Sequence, residues 1–249
     1  MGQPIARGAI IAAGAGSRLR QAGWTVPKPL VRVAGVPLIE HVIRNFLAAG
    51  IRSLVIIFNE EERDCEAWVR ARFSELDLQI IVKTTASSLE SFREVAARLG
   101  PGRVVVSTVD AWCLAEDFVE FVREAGRCPM EATVLAVTPF VADERPLWVS
   151  VDEAGRVTSL GGDAGDVVTA GMYLIPERVR RLPLPAGATP NGVARLRDFL
   201  AGLVAAGEPV YGVRIQTVVD VDRAEDVALA EELARRPAGE PAQSLGDVR

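Results

Sequence analysis

A loop suited to holding phosphate lies near the start of the chain, in the segment IIAAGAGSRL from Ile10 to Leu19. An apolar run leads into Gly14 and Gly16, and the loop ends on Arg18. Glycines expose backbone N–H groups and a guanidinium pairs with phosphate oxygens, so this combination favours an anionic ligand. Two common phosphate loops do not fit. A Walker A loop requires a Lys-Ser/Thr pair after Gly16, and a dinucleotide fingerprint requires a third small residue where this chain has Leu19.

A lysine between two prolines is the second feature suited to chemistry. The segment VPKPL places Lys28 ten residues after Arg18, and Pro27 and Pro29 stiffen the backbone on either side of it. Of the 28 lysines and arginines only two, Lys28 and Lys83, are lysines, which leaves 26 arginines. In so arginine-rich a chain, a lysine indicates a position that needs a compact ammonium. The prolines favour this interpretation for Lys28, whereas chance retention explains Lys83 equally well.

The first half of the chain alternates between strand-like and helix-like segments. Apolar runs of strand length are separated by segments whose apolar residues recur every three or four positions. This rhythm predicts a parallel sheet with helices on both faces. The predicted strands are 9–14, 53–59, 78–83 and 103–110, and the predicted helices are 37–49, 61–73, 87–99 and 115–124. The glycine loop then follows the first strand, at the edge where open α/β sheets bind ligands.

Strands predominate in the second half of the chain. Runs with few helices between them, at 132–140, 147–152, 155–160 and 167–175, are typical of antiparallel edge strands that build an acceptor lobe on the same sheet. Helices are predicted at 191–207 and 223–234, with one or two strands in 210–222 between them. We expect a single domain over residues 1–235 and a polar, Pro/Gly-rich tail, 236–249, that is disordered.

The order of the early motifs resembles that of a known enzyme family. AAGAGSRL is followed, ten residues after its arginine, by PKPLVRVAGVPLIEHV. This pattern is similar to that of the nucleotidyltransferases that couple an NTP to a sugar phosphate or polyol phosphate. The match is specific over residues 8–50 and looser, but ordered, to about residue 235. It implies a three-layer, Rossmann-like (GT-A-like) α/β fold with a mixed, mostly parallel sheet. The nucleotide-binding part would cover about 8–125 and the acceptor and metal part about 126–235.

The resemblance also implies roles for individual residues. Arg18 would hold the β and γ phosphates, and Lys28 would contact the phosphates at the reacting centre. The segment KTTASSLESF occupies the place of a Thr/Gly-rich stretch that touches the base and the acceptor in relatives. The nucleotide-binding residues implied in this way are Ala12, Ala13, Gly14, Ala15, Gly16, Ser17, Thr85, Ser87 and Ser88.

Three aspartates are candidate metal ligands by this resemblance, and the sequence leaves open whether Asp220 or Asp222 joins Asp110. Asp110 ends the predicted strand VVVSTVD, although Val109 stands where relatives carry glycine, and VVDVDRAED offers Asp220 and Asp222. Carboxylates from distant segments can hold a Mg²⁺ that bridges the triphosphate and the incoming phosphate. Each aspartate has a simpler alternative role. Asp110 could cap the helix near Ala115, and Asp220 or Asp222 could cap the last helix.

The implied reaction needs few catalytic side chains. An acceptor phosphate oxygen attacks the α-phosphorus in line, and pyrophosphate leaves. Because nucleophile and leaving group are already oxyanions near neutral pH, the enzyme must neutralise charge and align the groups more than move protons. Arg18, Lys28 and Asp110 are therefore the predicted catalytic residues, and no general base is required. The single histidine, His41, falls within a predicted helix, and Trp112 could line a pocket or pack in the core.

The identity of the acceptor rests on a missing motif. Hexose-1-phosphate members of the family carry a Glu-Lys-Pro segment before a strand that here reads TAGMY, and this chain lacks that segment. The absence favours cytidylyltransferases that act on inositol, choline or other small phosphates. Lys83, Arg145 or Arg156 could replace the missing lysine. A molybdopterin-type nucleotidyltransferase and a catalytically inactive nucleotide sensor are the alternative functions.

Charge and cysteine content exclude other classes of protein. A net charge of −5 and a pI near 5.2 argue against nucleic acid or an anionic membrane as a partner. Three cysteines without metal-type spacing indicate reduced thiols, and neither a signal peptide nor a membrane-spanning run is predicted. We therefore expect a cytoplasmic protein whose partners are an NTP and a small phosphorylated acceptor, and which is compatible with an oligomer.

Overall fold

The computed structural model describes residues 5–141, 146–183 and 195–235. Two short 3-10 segments, Lys28–Leu30 and Glu60–Glu62, accompany the strands and helices. The strands are β1 (Arg7–Ala12), β2 (Arg32–Val33), β3 (Val36–Pro37), β4 (Ser53–Phe58), β5 (Asp77–Val82), β6 (Val104–Thr108), β7 (Ala111–Trp112), β8 (Thr133–Thr138), β9 (Trp148–Val151), β10 (Val157–Leu160), β11 (Val167–Ile175), β12 (Val210–Arg214) and β13 (Val219–Asp220). The helices are α1 (Ser17–Gln21), α2 (Leu38–Ala48), α3 (Arg63–Arg72), α4 (Ser88–Ala96), α5 (Ala115–Arg127), α6 (Glu177–Arg180), α7 (Leu196–Ala205) and α8 (Ala224–Ala234).

One mixed sheet forms the centre of the molecule, as the sequence predicts. Its order is β10-β9-β11-β6-β1-β4-β5, and β8 joins it through β11. The four strands of the first half are parallel to one another, and β11 runs antiparallel to β6, β8 and β9. One strand departs from the antiparallel expectation for the second half, because β12 pairs with β8 in parallel.

The parallel strands are buried because helices cover both faces of the sheet. Consecutive residues of β1 point to opposite sides: Ile10 packs in the layer that contains Phe46 and Phe118, and Ile11 in the layer that contains Phe92 and Phe199. A strand covered on both faces must be apolar at nearly every position, which explains the unbroken runs in the sequence. The result is the expected three-layer α/β architecture.

Two features of the sheet bring distant segments to one edge. The parallel strands β1, β4 and β6 all end at this edge, so the loops that follow them are neighbours. Beyond β6, the short strand β7 pairs antiparallel with β13, and this places Asp220 opposite Ala111. The Val221 N–H donates to the Asp110 carbonyl at 3.0 Å. A segment more than 100 residues later in the chain therefore lies beside the end of β6.

Some elements differ from the sequence prediction in their bounds. The predicted helix 61–73 begins as a 3-10 turn, and the hairpin of β2 and β3 after Lys28 was not predicted. Residues 191–194 of a predicted helix, Arg145 and the tail 236–249 lie outside the described residues. Within the described ranges, no helix combines the length and apolar character needed to cross a bilayer. The three cysteines are free thiols.

Candidate active site

Lys28 reaches carboxylates from two distant parts of the chain. Its Nζ donates to Asp110 Oδ2 at 2.6 Å and also to Asp222 Oδ1. The lysine side chain is only 6% exposed, whereas those of Asp110 and Asp222 are 25% and 31% exposed. The backbone turns tightly here, since the Leu30 N–H donates to the Pro27 carbonyl at 2.8 Å. The ammonium is therefore held at the base of a partly open acidic cluster.

The charges of this cluster stabilise one another. Burial lowers the pKa of Lys28, but the charges of Asp110, Asp222 and Asp220 more than offset it, and the pKa lies above its usual value. Burial raises the pKa of Asp110, but the Lys28 charge and the hydrogen bonds from Lys28 and Thr108 outweigh it, so the pKa lies below its usual value. Both groups are therefore ionised near neutral pH.

Arg18 connects the glycine loop to the same cluster. Its Nη1 donates to Asp222 Oδ2 at 2.6 Å, while about half of the side chain, 48%, stays exposed. Gly16 has a φ of 57°, and a Cβ at this position would lie 3.0 Å from the Lys28 Cβ. Only glycine combines this backbone conformation with so close an approach. The loop and the lysine, which the sequence places ten residues apart, are thus in direct contact.

The three predicted metal ligands come together. Asp110, Asp220 and Asp222 each offer a carboxylate oxygen, and these oxygens lie within 4.8 Å of one another. The pairing of β7 with β13 is what brings them there. Carboxylate oxygens are the hard ligands that Mg²⁺ prefers, so the donor set fits this ion.

The aspartates do not cap the two helices, which was the alternative role that the sequence left open. The N-cap of α5 is Leu114 and that of α8 is Arg223, so neither helix has one of the three aspartates at this position. Asp226 instead accepts hydrogen bonds from the backbone N–H groups of Asp222 and Arg223, at 3.0 and 2.7 Å. It therefore holds both the start of α8 and the backbone that carries Asp222. The sequence analysis did not single out Asp226.

The predicted nucleotide loop is fixed at its base and open at its tip. Ala12 and Ala13 are buried, whereas Gly14 and Ala15 are exposed. Buried Asn59, which directly follows β4, donates to the Ala13 carbonyl at 3.5 Å. Its Oδ1 also accepts from the Thr84 hydroxyl at 3.0 Å, which ties the loop to the end of β5. Asn59 was missed in the sequence, where a polar residue directly after an apolar strand was its signal.

The three predicted hydroxyl residues have different surroundings. The Thr85 hydroxyl is hydrogen-bonded to that of Ser91 at 2.6 Å. Ser87 is the N-cap of α4, where its Oγ accepts from the Glu90 N–H at 3.2 Å. Ser88 accepts from the backbone N–H of Leu196 at 3.0 Å and lines the cavity described next. Thr85 and Ser87 therefore support the start of α4, and Ser88 faces the site.

A cavity of about 270 Å³ opens beside the aspartate cluster. Asp110, Asp220 and Asp222 form one side of it. The start of α7 contributes Arg197, and β11 contributes Tyr173; neither residue was singled out in the sequence. The remaining wall is mostly small or apolar, and its residues are Ser88, Thr108, Ala111, Thr138, Phe140, Pro146, Leu147, Val168, Thr169, Ala170, Gly171, Leu196 and Val218. A pocket of this type accommodates a small molecule oriented by a few polar groups.

Other residues that the sequence left open lie away from this cavity. His41 lies 3.3 Å from the Val33 carbonyl and packs edge-on against Trp112, which is only 2% exposed and belongs to the core. Lys83 forms ion pairs with Glu90 and Glu94 at 3.1 and 2.7 Å. Trp112 is therefore part of the core, and Lys83 forms ion pairs with helix α4.

Comparison with known proteins agrees with this geometry. A profile of the MobA-like NTP transferase domain matches residues 8–179, which include the glycine loop, Lys28 and Asp110. The chain belongs to this family. Asp220 and Asp222 lie beyond the matched range, so their position beside Asp110 is seen only in the structure.

Individual relatives extend the comparison. The bifunctional IPC transferase and DIPP synthase of Rubrobacter xylanophilus is 30% identical over 244 residues, covering 90% of this chain and 51% of the relative. The mannose-1-phosphate guanylyltransferase catalytic subunit beta of Danio rerio is 26% identical, covering 70% of this chain and 51% of the relative. The chain thus spans about half the length of these curated relatives. The inositol-1-phosphate CTP transferase structure from T. maritima superposes with a TM-score of 0.79 at 18% identity, covering 96% of this chain and 100% of that chain, and this likeness shows the shared fold.

Proposed function

We propose that this protein is a Mg²⁺-dependent nucleotidyltransferase that moves an NMP group from an NTP to a small phosphorylated acceptor and releases pyrophosphate. One observation carries the proposal. The glycine loop, two cations and three carboxylates, drawn from three distant segments, form one cluster, and the three carboxylates of that cluster line a small-molecule cavity. Mannose-1-phosphate and inositol-1-phosphate occur in the names of similar proteins, which favours a sugar or polyol phosphate as acceptor over a molybdopterin.

Each part of the site has a task in this reaction. An oxygen of the acceptor phosphate forms a bond to the α-phosphorus of the NTP. The bond from that phosphorus to the bridging oxygen breaks, and pyrophosphate leaves with the electron pair. Arg18 and Lys28 neutralise the charge of the triphosphate and of the departing pyrophosphate. The exposed tip of the loop, Gly14 and Ala15, offers backbone N–H groups to the nucleotide.

The aspartates complete the charge balance. Asp110, Asp220 and Asp222 would hold Mg²⁺, which when bound neutralises phosphate oxygens and draws the two substrates together. With Lys28 among them, the carboxylates keep its ammonium charged and aimed into the site. Positioning and electrostatic stabilisation thus take the place of general-base catalysis. The free cysteines and the use of an NTP support a cytoplasmic location.

Thermal unfolding with nucleotides tests the proposal without assuming an acceptor. ATP, GTP, CTP, UTP and dTTP are each added with and without Mg²⁺, and a ligand at 100 times its Kd is expected to add about 2.7 kcal/mol of stability. We expect a Mg²⁺-dependent rise in Tm with one or two nucleotides and its loss in Asp110→Asn.

Pyrophosphate release with the same nucleotides then tests the chemistry. Inositol-1-phosphate and mannose-1-phosphate are the first acceptors, because they occur in the names of related proteins. Nucleotide binding without pyrophosphate release with any sugar or polyol phosphate would favour the inactive sensor. If none of the five nucleotides shifts Tm, the proposed function is contradicted.

A further inference from the structure

The proposed reaction requires a cation for the acceptor phosphate. Two phosphorylated molecules must approach each other, and the charge on the acceptor has to be neutralised near the α-phosphorus. Arg18 and Lys28 are already engaged with the aspartates that would face the triphosphate. The glycine loop next to them leaves both cations on the nucleotide side of the site. A further cation is therefore needed on the acceptor side.

Two of the cations that the sequence offers for the acceptor phosphate, Lys83 and Arg156, lie within the described residues but do not line the cavity. Lys83 is paired with two glutamates on α4, and neither it nor they line the cavity. Arg156 directs its guanidinium to the Gly207 carbonyl at 3.1 Å and also lies outside the cavity lining. Neither residue is in a position to meet an acceptor that reacts beside Asp110.

Arg197 can supply the cation that is needed on the acceptor side. It stands in the first turn of α7, its side chain is exposed, and it lines the same cavity as Asp110, Asp220 and Asp222. Among the ion pairs of the described residues, none engages Arg197, in contrast to Arg18 and Lys28. Within the described ranges, the other charged residues that line the cavity are Asp110, Asp220 and Asp222.

Tyr173 lines the same cavity as Arg197 and the three aspartates. This tyrosine is 7% exposed and lies in the cavity wall on β11. Burial raises its pKa, the charges of Asp220 and Asp110 raise it further, and the charge of Arg197 acts in the opposite direction. Because the aspartates and Arg197 line one cavity, a single small ligand can contact both.

We propose that Arg197 binds the phosphate of the acceptor, and that the substrate class is a small phosphomonoester whose body contacts the apolar wall formed by Phe140, Leu147 and Val168. A guanidinium suits this task because it pairs with two phosphate oxygens at once. The inference rests on the proposed function and specifies where its second substrate binds.

Steady-state kinetics of three variants tests the proposal. Arg197→Ala removes the charge, Arg197→Lys keeps it without the planar fork, and Arg195→Ala is the matched control, an exposed arginine two residues away that does not line the cavity. Pyrophosphate release is measured with Mg²⁺ and the NTP and acceptor that support wild-type turnover. The loss of a charge-assisted phosphate contact is expected to raise the acceptor KM by roughly 10- to 100-fold in Arg197→Ala. Arg197→Lys should fall in between, and the NTP KM should change less than twofold.

Two readouts separate the failure of this inference from that of the proposed function. The Mg²⁺-dependent rise in Tm with NTP should persist in Arg197→Ala, since the nucleotide side is intact. An unchanged acceptor KM in Arg197→Ala, or an equal rise in Arg195→Ala, would overturn the inference while leaving the nucleotidyltransferase in place. Arg145→Ala is measured as a fourth variant because the sequence also offers this residue, and a rise in acceptor KM in it without one in Arg197→Ala would overturn the inference. If the wild type neither binds NTP nor releases pyrophosphate, the proposed function fails first.

Discussion

Lys28 is a buried charge that is satisfied by two carboxylates. An isolated ammonium at 6% exposure would lose its proton, yet the aspartates hold it charged. The arrangement has a functional consequence. A charge that is already desolvated and oriented stabilises developing negative charge without reorganisation.

Removing either cation should therefore abolish most of the activity. We expect Lys28→Ala and Arg18→Ala each to lower turnover by at least about 10²-fold, corresponding to about 3 kcal/mol of transition-state stabilisation. Lys83→Ala is the matched control, because this partly exposed lysine pairs with glutamates that do not line the cavity. Pyrophosphate release under saturating substrate is the measurement. Near-normal turnover in either site variant would contradict the assignment.

Glu62 is a second buried ionisable group, and it lies behind the Lys28 loop. Glu62 is 8% exposed, and its Oε2 has no hydrogen-bond partner in the described part of the chain. Burial raises its pKa to about 7, although the Arg20 charge and the Lys28 backbone N–H lower it. The folded protein thus retains this proton at a pH where the unfolded chain, with a carboxyl pKa near 4.5, has released it.

This shift predicts a pH dependence of stability. Because the folded state binds the proton more tightly, the Glu62 contribution makes stability fall as pH rises from about 4.5 to about 7 and then level off. Glu62→Gln, which resembles the protonated form, should remove this slope and raise Tm by a few degrees at pH 8 but not at pH 4.5, since about 1 kcal/mol shifts Tm by roughly 2–4 °C in a domain of this size. Thermal unfolding from pH 4.5 to 8 is the measurement, with Glu61→Gln as an exposed neighbour for control. Parallel pH profiles of Tm for Glu62→Gln and wild type would disprove this assignment.

At the scale of elements, β11 bends at the site. Its first residues pair with β9, its last with β6, and its register against β8 shifts between Thr169 and Tyr173. Gly171 lies within this shift at a φ of 67°. A Cβ there would lie 2.7 Å from Thr108 Oγ1 and 2.9 Å from the Ala111 Cβ. The bend brings the strand against the end of β6 where Asp110 is held.

Gly171→Ala should therefore damage both fold and site. The left-handed conformation and the overlap together predict a loss of roughly 2–4 kcal/mol of unfolding free energy, and displacement of Asp110 predicts lower turnover. Gly207→Ala is the control, because Gly207 has a φ of 75° with no atom within 4 Å of an added Cβ. We expect the control to lose about 1 kcal/mol or less and to keep its kcat. Equal effects in the two variants, by chemical denaturation and kinetics, would show that the crowding at Gly171 is unimportant.

For the whole molecule, the charge of the site is nearly balanced before any ligand binds. Three carboxylates meet two cations, Lys28 and Arg18, so a free Mg²⁺ encounters a cluster with little net charge. In the proposed reaction an NTP adds several negative charges at the same place. Metal affinity should therefore depend on the nucleotide, which couples the two ligands.

Thermal unfolding can measure this coupling. We expect millimolar Mg²⁺ alone to shift Tm by less than about 1 °C, and Mg²⁺ with the preferred NTP to shift it by several degrees. Lys28→Ala, which leaves the carboxylates less neutralised, should increase the response to Mg²⁺ alone. A full shift with Mg²⁺ alone in the wild type would show that the metal site is complete without nucleotide.

The sequence by itself determined the layers and the first half of the site. The continuous apolar runs of β1, β4 and β6 reflect burial on both faces, and a strand followed by glycines, Arg18 and a proline-flanked Lys28 is a local pattern. The family profile and the superposed fold confirm the fold class and the kinship inferred from these motifs. The roles of the individual site residues remain predictions.

Only the tertiary structure decided which distant residues share the site. The pairing of β7 with β13, the bend at Gly171 and the placement of Arg197 on the cavity wall depend on contacts between segments far apart in the chain. Such contacts leave little local signal, because an arginine on an exposed helix turn has the same neighbours in sequence whether it faces solvent or a substrate. The same reason explains why Asp226 and Glu62 emerged only once the tertiary contacts were in place.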